Sequence, residues 1–156
     1  MLSNQECRLR GLDVTDGRAA CAETPPSLLL DAIELFNRGE FYEQHELLET
    51  LWRAEPRPVR RLYQGILQIG VAFHHLRRHN HHGAVYMLGR GQMYLRPFAP
   101  TCQDVNVERL LADASRALAE IVRLGPEGLH AFDWSLAPRV WLVGSERLTP
   151  PSGEEP

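Results

Sequence analysis

The sequence predicts an all-α fold, an antiparallel bundle of four to five helices with a central apolar third helix. Apolar residues recur at helical spacing in five segments, and no segment shows a convincing alternation of period two. The connections are short, which favours antiparallel neighbours. Apolar residues make up 44% of the 156 residues, enough for a core without disulfide bonds or a structural metal.

The first two helices are predicted over residues 25–38 and 40–54. Thr24 can cap the first, and a proline suits its first position. Gly39 ends it because glycine tolerates a left-handed backbone. The second helix ends where two prolines follow within four residues and forbid its continuation.

The third helix, predicted over 59–79, contains the sequence ILQIGVAF, which is apolar on nearly all sides and therefore indicates a covered position. The fourth is predicted over 81–96 with Asn80 as its cap. Gly89 and Gly91 each cost about 1 kcal/mol against alanine inside a helix. Small residues on that face would let a neighbouring backbone come close, which offsets the cost.

The fifth helix is predicted over 107–124, with Asn106 as its cap and Gly125 at its end. The residues after it, GLHAFDWSLAPRVW, have no clear period, and we expect them to pack back over the bundle as an irregular strap. The residues of the fifth helix expected to face inward are Leu110, Leu111, Ala114, Leu118, Ile121 and Val122.

The domain boundaries follow from composition. Residues 1–23 are polar and aperiodic and are predicted to be a disordered tail, as are residues 146–156, so that 24–145 form a single helical domain. The three cysteines, Cys7, Cys21 and Cys102, contain no C-x-x-C pair and are odd in number. Neither a disulfide framework nor a cysteine zinc site is therefore expected.

Charge and hydropathy limit the classes of partner. A net charge of -3 gives no case for nucleic acid, which usually requires a concentrated basic face. No run of about 18 apolar residues predicts a membrane span, and the N-terminus lacks the apolar core of a signal peptide. We therefore expect a cytoplasmic protein without a membrane partner. A homo-oligomer that uses exposed helix faces remains open.

A polar cluster is predicted between the second and third helices. At 100° per residue, His45 lies in the middle of the buried face of the second helix, with Glu49 at its edge. A buried polar group without a hydrogen-bond partner costs about 1–3 kcal/mol, so we expect these side chains to bond to one another. The polar residues of the cluster are Tyr42, His45 and Glu49 on the second helix, and Gln64, Gln68 and His75 on the third.

Three interpretations of this cluster stay open. It can be a satisfied hydrogen-bond network that fixes helix register. It can be a site, with His45, Glu49 and His75 as ligands of a divalent metal, or with His45 and Glu49 as an acid–base pair. It can also be a pocket for a small molecule or an anion. The spacing is not that of the H-E-x-x-H metal motif.

Two further clusters of histidine and arginine residues could also form binding sites. The run HHLRRHNHH at 74–82 spans the end of one predicted helix and the start of the next, so its side chains should radiate in different directions. Five arginines lie near the two ends of the third helix, where they could bind anions or form a solvated surface. These are Arg57, Arg60, Arg61, Arg77 and Arg78.

The strings FNRGEFYEQHELLETLW and YQGILQIGVAFHHLRRHNHHGA resemble the prokaryotic and plastid-lineage family known as domain of unknown function 309. The first matches the family pattern F-N-x-G-x-[FY]-[FY]-E-x-H-E-x-x-E-x-x-W at every position. The second departs at His79, where a glycine is usual. The resemblance covers about residues 28–124 and implies an all-helical fold with no assigned activity.

These observations favour an uncharacterised, non-enzymatic binding or interaction domain with a buried His/Glu/Gln network. The alternative is a metal-dependent or acid–base enzyme, hydrolase-like in its chemistry, that uses His45, Glu49 and His75. In that case Gln64 and Gln68 would orient the substrate or the ligands.

Overall fold

The computed structural model describes residues 18–144, and the all-α prediction is confirmed. Residues 1–17 of the first predicted tail and all of the second, 146–156, lie outside the described residues. Short turns of 3₁₀-helix occur at Arg96–Phe98, Leu129–Ala131 and Trp134–Leu136, and two-residue strands form an antiparallel pair, β1 (Thr101–Cys102) with β2 (Val105–Asn106). The helices are α1 (Ser27–Asn37), α2 (Phe41–Ala54), α3 (Arg60–Arg77), α4 (His81–Leu95) and α5 (Val107–Gly128).

Helix α3 is the centre of the bundle, as predicted. It packs against α2 on one side and α4 on the other, while α1 packs on α2 and α5 on α4. Phe73 of α3 contacts the rings of Phe132 and Trp134, so the residues after α5 do fold back over the core as an irregular strap. None of the helices within 18–144 is both long enough and apolar enough to cross a bilayer.

Most helix ends follow their predicted signals. Asn80 and Asn106 cap α4 and α5 by accepting hydrogen bonds from the backbone N–H groups of Gly83 (2.9 Å) and Arg109 (3.0 Å). Gly39 ends α1 at a φ of 82°. The start of α1 was predicted wrongly. The helix begins after Pro26, with no side-chain cap, because Pro25 itself precedes a proline and such a residue avoids the helical region.

His79 stands at the left-handed position where the resembled family usually has glycine. Its φ is 61°, and the backbone N–H of the next residue, Asn80, donates to the carbonyl of His75 at 2.9 Å. This hydrogen bond is the one found where a left-handed residue, usually glycine, ends a helix. The turn before α4 therefore keeps this geometry, although a left-handed conformation costs more for histidine than for glycine.

Helix α5 buries a narrower stripe than predicted. Leu110, Ala114, Ala117 and Ile121 are fully buried, at spacings of four, three and four residues. Val122 lies 100° further around the helix and is 56% exposed, so its inward assignment was wrong. The predicted break at Gly125 is present, with a φ of 72°, and one further helical turn follows it.

A disulfide joins Cys21 to Cys102, which corrects the expectation that the cysteines would form no disulfide framework. The bond ties the segment before α1 to the β1–β2 hairpin. Gln103, beside it, donates its backbone N–H to the Cys21 carbonyl at 2.8 Å and accepts from the Tyr63 hydroxyl at 2.8 Å. Residues 20 and 21, which the sequence placed in a tail, are therefore fixed to the core.

Candidate functional site

The centre of the α2–α3 interface holds a residue that the sequence did not single out. Gln44 is fully buried there, and its amide donates to the carbonyls of Phe41 (2.9 Å) and Leu67 (3.3 Å). Gly70 of α3 leaves room for the Gln44 carboxamide. His45 follows Gln44 by 100° around the helix, so it lies at the edge of the interface and not in its middle.

The predicted polar stripe of α3 lies on what we call the outer face of the bundle. Gly70 meets α2, and Gly65 meets Leu95 and Gly91 of α4. At 100° per residue, the stripe falls between these two contacts, on the side of α3 opposite the buried Ile69 and Phe73. The outer face carries Gln64, Gln68, Val71 and His75 between α2 and α4.

On the α2 side of the outer face, His45 pairs with Glu49. Its Nε2 is 3.4 Å from a Glu49 carboxylate oxygen, and the two side chains are 28% and 34% exposed. Arg53 donates to the other oxygen of Glu49 at 2.6 Å, and this hydrogen bond holds the pKa of the Glu49 carboxyl below its usual value. The Nδ1 atom of His45 is buried and has no partner within the described residues.

The two amides of α3 do not bond to His45 or Glu49. Gln64 accepts a hydrogen bond from Arg61 at 2.6 Å instead. Gln68 is only 8% exposed, and its Oε1 is buried without a partner in the part of the chain that the structure describes. The predicted closed network is therefore absent among these residues, and two unsatisfied polar atoms lie at the outer face.

His75 belongs to a separate contact at the far end of the stripe. Its Nδ1 lies 3.3 Å from the Asn80 amide nitrogen, and its ring packs against Gly83 in the first turn of α4. The pKa of the His75 imidazole is lowered, chiefly by partial burial and also by the charges of His74 and Arg78. His75 is thus not brought together with His45 and Glu49.

We predict that acid destabilises the protein in part through His75. Because the imidazole pKa is lower in the folded chain, the unfolded chain binds its proton first as the pH falls below the ordinary histidine value. The wild-type melting temperature should therefore fall a few degrees more between neutral pH and about pH 5 than that of His75→Gln. His82→Gln, which changes an exposed histidine in the next helix, is the control and should retain the wild-type pH dependence.

The metal set considered from the sequence does not assemble. Within residues 18–144, no three side chains of histidine, cysteine, aspartate or glutamate come close enough together to hold a metal ion. This includes the histidine run at 74–82, where His74 contacts the ring of Tyr42 at 5.4 Å and His81 lies 3.1 Å from the Ile121 carbonyl. The geometric reason is that these side chains point to different neighbours.

The sequence analysis named Arg60 and Arg61 as residues that could bind anions, but it missed the aromatic rings and the α4 arginine that lie with them where α3 begins and α4 ends. Arg60 lies over the ring of Trp52 at 5.1 Å, and Arg61 lies over the ring of Tyr94 at 5.1 Å. Arg90 also lies over the ring of Tyr94, at 5.4 Å. We call this group the basic–aromatic patch; it comprises Trp52, Arg53, Arg60, Arg61, Tyr86, Arg90 and Tyr94.

Three of the four arginines of the patch are not neutralised by acidic side chains; the fourth, Arg53, pairs with Glu49. Arg60, Arg61 and Arg90 have no carboxylate within salt-bridge distance among the described residues; their partners are a carbonyl, an amide oxygen, tyrosine hydroxyls and aromatic rings. Arg90 donates to the hydroxyls of Tyr86 at 3.1 Å and Tyr94 at 2.6 Å, which fixes its guanidinium plane. The outer face therefore presents held positive charges at this end.

A signal for the patch was present in the sequence. Residues 56–103 contain seven of the 17 basic residues and none of the 20 acidic ones. The net charge of -3 is thus the sum of a strongly basic central segment and a strongly acidic remainder. Counting charge by segment would have found the basic face that the overall value conceals.

Comparison with known proteins gives a match to one family's sequence model and no activity. The sequence model of the family described as Domain of unknown function (DUF309) matches residues 29–87. The chain is also 29% identical over 77 residues to "Uncharacterized protein YpuF" of Bacillus subtilis (strain 168). That alignment covers 49% of this chain and 44% of the relative, so the chain spans less than half the length of this curated relative.

The matched segment contains all six residues of the predicted polar cluster, from Tyr42 to His75, and also Arg60 and Arg61 of the patch. Arg90 and Tyr94 lie beyond it. The resemblance inferred from the sequence is confirmed, and the outer face of α3 belongs to the part of the chain that matches the Domain of unknown function (DUF309) family.

Proposed function

We propose that this protein is a non-enzymatic binding domain that holds a polyanionic ligand on its outer face. The observation that carries the proposal is the set of three arginines, Arg60, Arg61 and Arg90, that no carboxylate pairs within the described residues. Unpaired arginines held in fixed planes are suited to phosphate, sulfate and carboxylate groups, which they can bind with two parallel hydrogen bonds.

The unsatisfied atoms on the same face do not form the closed network that a purely structural role predicts. A network that serves stability should satisfy each buried polar group, because a group left unpaired costs about 1–3 kcal/mol. His45 Nδ1 and Gln68 Oε1 have no partner inside the described chain.

The chemistry of Glu49 favours binding over acid–base catalysis. A general acid or base works best when its pKa lies near the working pH. The Arg53 hydrogen bond lowers the pKa of Glu49, which moves this carboxyl away from that range. His45 and Glu49 are therefore in contact beside Arg53, and this contact can orient the imidazole.

The test is retention on immobilised heparin, a general polyanion, at low ionic strength. We expect the full chain to be retained despite its net negative charge and to elute as salt rises, because salt screens these contacts. The double variant Arg61→Gln/Arg90→Gln should elute at clearly lower salt. Circular dichroism melting checks that the variant is folded.

The control changes the same amount of charge elsewhere. Arg116→Gln/Arg123→Gln removes two arginines of α5 that are already paired with Asp113 and Glu120. It should elute close to the wild type. If the wild type flows through heparin at low salt, or if both double variants shift equally, the proposal is wrong.

A further inference from the structure

Resting on the proposed function, we infer that the Cys21–Cys102 disulfide is a redox switch of the polyanion site. The oxidised bond holds the Glu23 carboxylate at the basic end of α3, and reduction by a dithiol releases it. We call residues 18–24 the tethered segment. The inference joins three features of this segment: how it is anchored, how a reductant reaches its disulfide, and where it places its negative charge.

The tethered segment has little apolar anchorage of its own. Ala20 is the only buried residue between positions 18 and 24. The polar anchors are Gln103, which donates to the carbonyls of Cys21 (2.8 Å) and Ala20 (3.3 Å), and Arg18, which donates to two carbonyls of the turn after α4. Because water can replace such hydrogen bonds at little net cost, the covalent bond is what keeps the segment in place.

A reductant can reach the disulfide through one of its two cysteines. Cys102 is fully buried, whereas Cys21 is partly exposed. One thiolate of the dithiol attacks the sulfur of Cys21, the S–S bond breaks, and Cys102 leaves as a thiolate that takes up a proton. The second thiolate displaces Cys21, which also takes up a proton, so the two electrons come from the dithiol, which ends as a disulfide. Disulfides that form in reducing compartments are usually transient and redox-sensing.

The carboxylate of the tethered segment lies at the basic end of α3. Glu23 accepts hydrogen bonds from Arg57 at 2.7 and 3.2 Å, and the Arg57 carbonyl accepts from the backbone N–H of Arg60 at 3.0 Å. Arg57 is thus one helical turn before Arg60 and Arg61 of the patch. Glu55 also pairs with Arg57 and stays in place when the segment leaves. Release removes one negative charge from this end of the outer face, so the reduced chain binds a polyanion more tightly.

Amide hydrogen exchange tests the release of the segment. The backbone N–H of Gln103 is bonded to the Cys21 carbonyl in the oxidised chain, so it should exchange at least about tenfold faster after treatment with dithiothreitol. In the reduced chain, amides in the middle of α3, such as that of Ile69, should remain clearly more protected than that of Gln103. If Gln103 stays protected, or if α3 exchanges as fast as Gln103 because the whole chain unfolds, the switch is overturned.

Fluorescence anisotropy with a labelled heparin oligosaccharide tests the effect on binding. At about 10 mM salt, where charges act over about 30 Å, the reduced full chain should bind about twofold to fivefold more tightly than the oxidised chain. The difference should shrink as salt rises, because screening weakens the repulsion by Glu23. Circular dichroism checks that both forms are folded at the temperature of the titration.

The variant Glu23→Gln tests the charge while the disulfide stays intact. The oxidised variant should bind as tightly as the reduced wild type and gain little from reduction. Glu120→Gln is the matched control, because it removes a carboxylate that is paired with Arg123 on α5. It should bind like the wild type in both redox states. The side chain of Glu23 is 48% exposed, so its substitution should not unfold the protein.

The outcomes separate this inference from the proposed function. Equal heparin affinity of the folded oxidised and reduced chains would overturn the switch and leave the polyanion site standing. A Glu23→Gln variant that still responds to reduction like the wild type would overturn the role of this carboxylate. Failure of both redox forms to bind heparin would remove the proposed function and the switch with it, even if the Gln103 amide shows that the segment is released.

Discussion

Reduction of the Cys21–Cys102 disulfide should lower the free energy of unfolding by about 4–5 kcal/mol. The bond joins residues 81 positions apart, and cross-linking a loop of that length removes chain entropy of this size from the unfolded state. Small domains are stable by only about 5–15 kcal/mol, so the loss is a large share of the total. The melting temperature should fall by about 10 °C or more.

The measurement is thermal unfolding with and without dithiothreitol, together with the variant Cys21→Ser. The variant should melt near the reduced wild type and show little further response to the reductant. Cys7→Ser changes the cysteine outside the Cys21–Cys102 bond and should keep both the high melting temperature and the response. Free thiols at all three positions in protein purified without reductant would refute the assignment.

The second large effect concerns the contact between α3 and α4. A methyl group at Gly91 would lie 3.0 Å from the carbonyl oxygen of Gly65 and 2.8 Å from the end of the Ile69 side chain. Ile69 can move, but the backbone carbonyl can do so only if the helices separate. Gly91→Ala should therefore destabilise the protein by about 1–3 kcal/mol.

Gly89 gives a matched control two residues away. A methyl group there would meet nothing within 4 Å, so Gly89→Ala should stabilise α4 by up to about 1 kcal/mol through helix propensity. Urea unfolding of both variants measures the contrast. If Gly91→Ala is as stable as Gly89→Ala, the close approach of the two helices is not present in solution.

The disulfide also bears on where the protein works. A cytoplasmic location stays an expectation from the N-terminal sequence. Disulfides persist mainly in oxidising compartments and are rare in a reducing cytosol, apart from those of hyperthermophiles. The state of Cys21 and Cys102 in protein taken directly from cells would therefore decide between these settings.

The sequence predicted the elements well where the signals are local. Asn80, Asn106, Gly39 and Gly125 mark helix ends within a few residues, and each has the predicted role. The disulfide could not be predicted from local signals, because its two cysteines come together only in the folded chain. Three cysteines in the sequence do not indicate which two of them pair. The bundle itself followed from helical periodicity.

The candidate site was predicted in part. The residues of the stripe, from Gln64 to His75, do lie on one side of α3, because their positions around the helix depend on the geometry of that helix alone. The position of His45 was wrong by one residue, because α2 turns Gln44 toward α3 and leaves His45 and Trp52 at the edge. The rotation of α2 about its own axis depends on how α2 and α3 pack together, and the sequence pattern of one helix does not contain that information.

The central claim is that the outer face of α3 is where a polyanion binds. The most direct measurement is a map of backbone amide chemical shifts in the full chain during titration with a short heparin oligosaccharide. We expect the largest shifts at 60–68 and 86–94, with Arg61, Gln68 and Arg90 among them. Shifts centred on α5, or on α1 and the residues after α5, would contradict the claim.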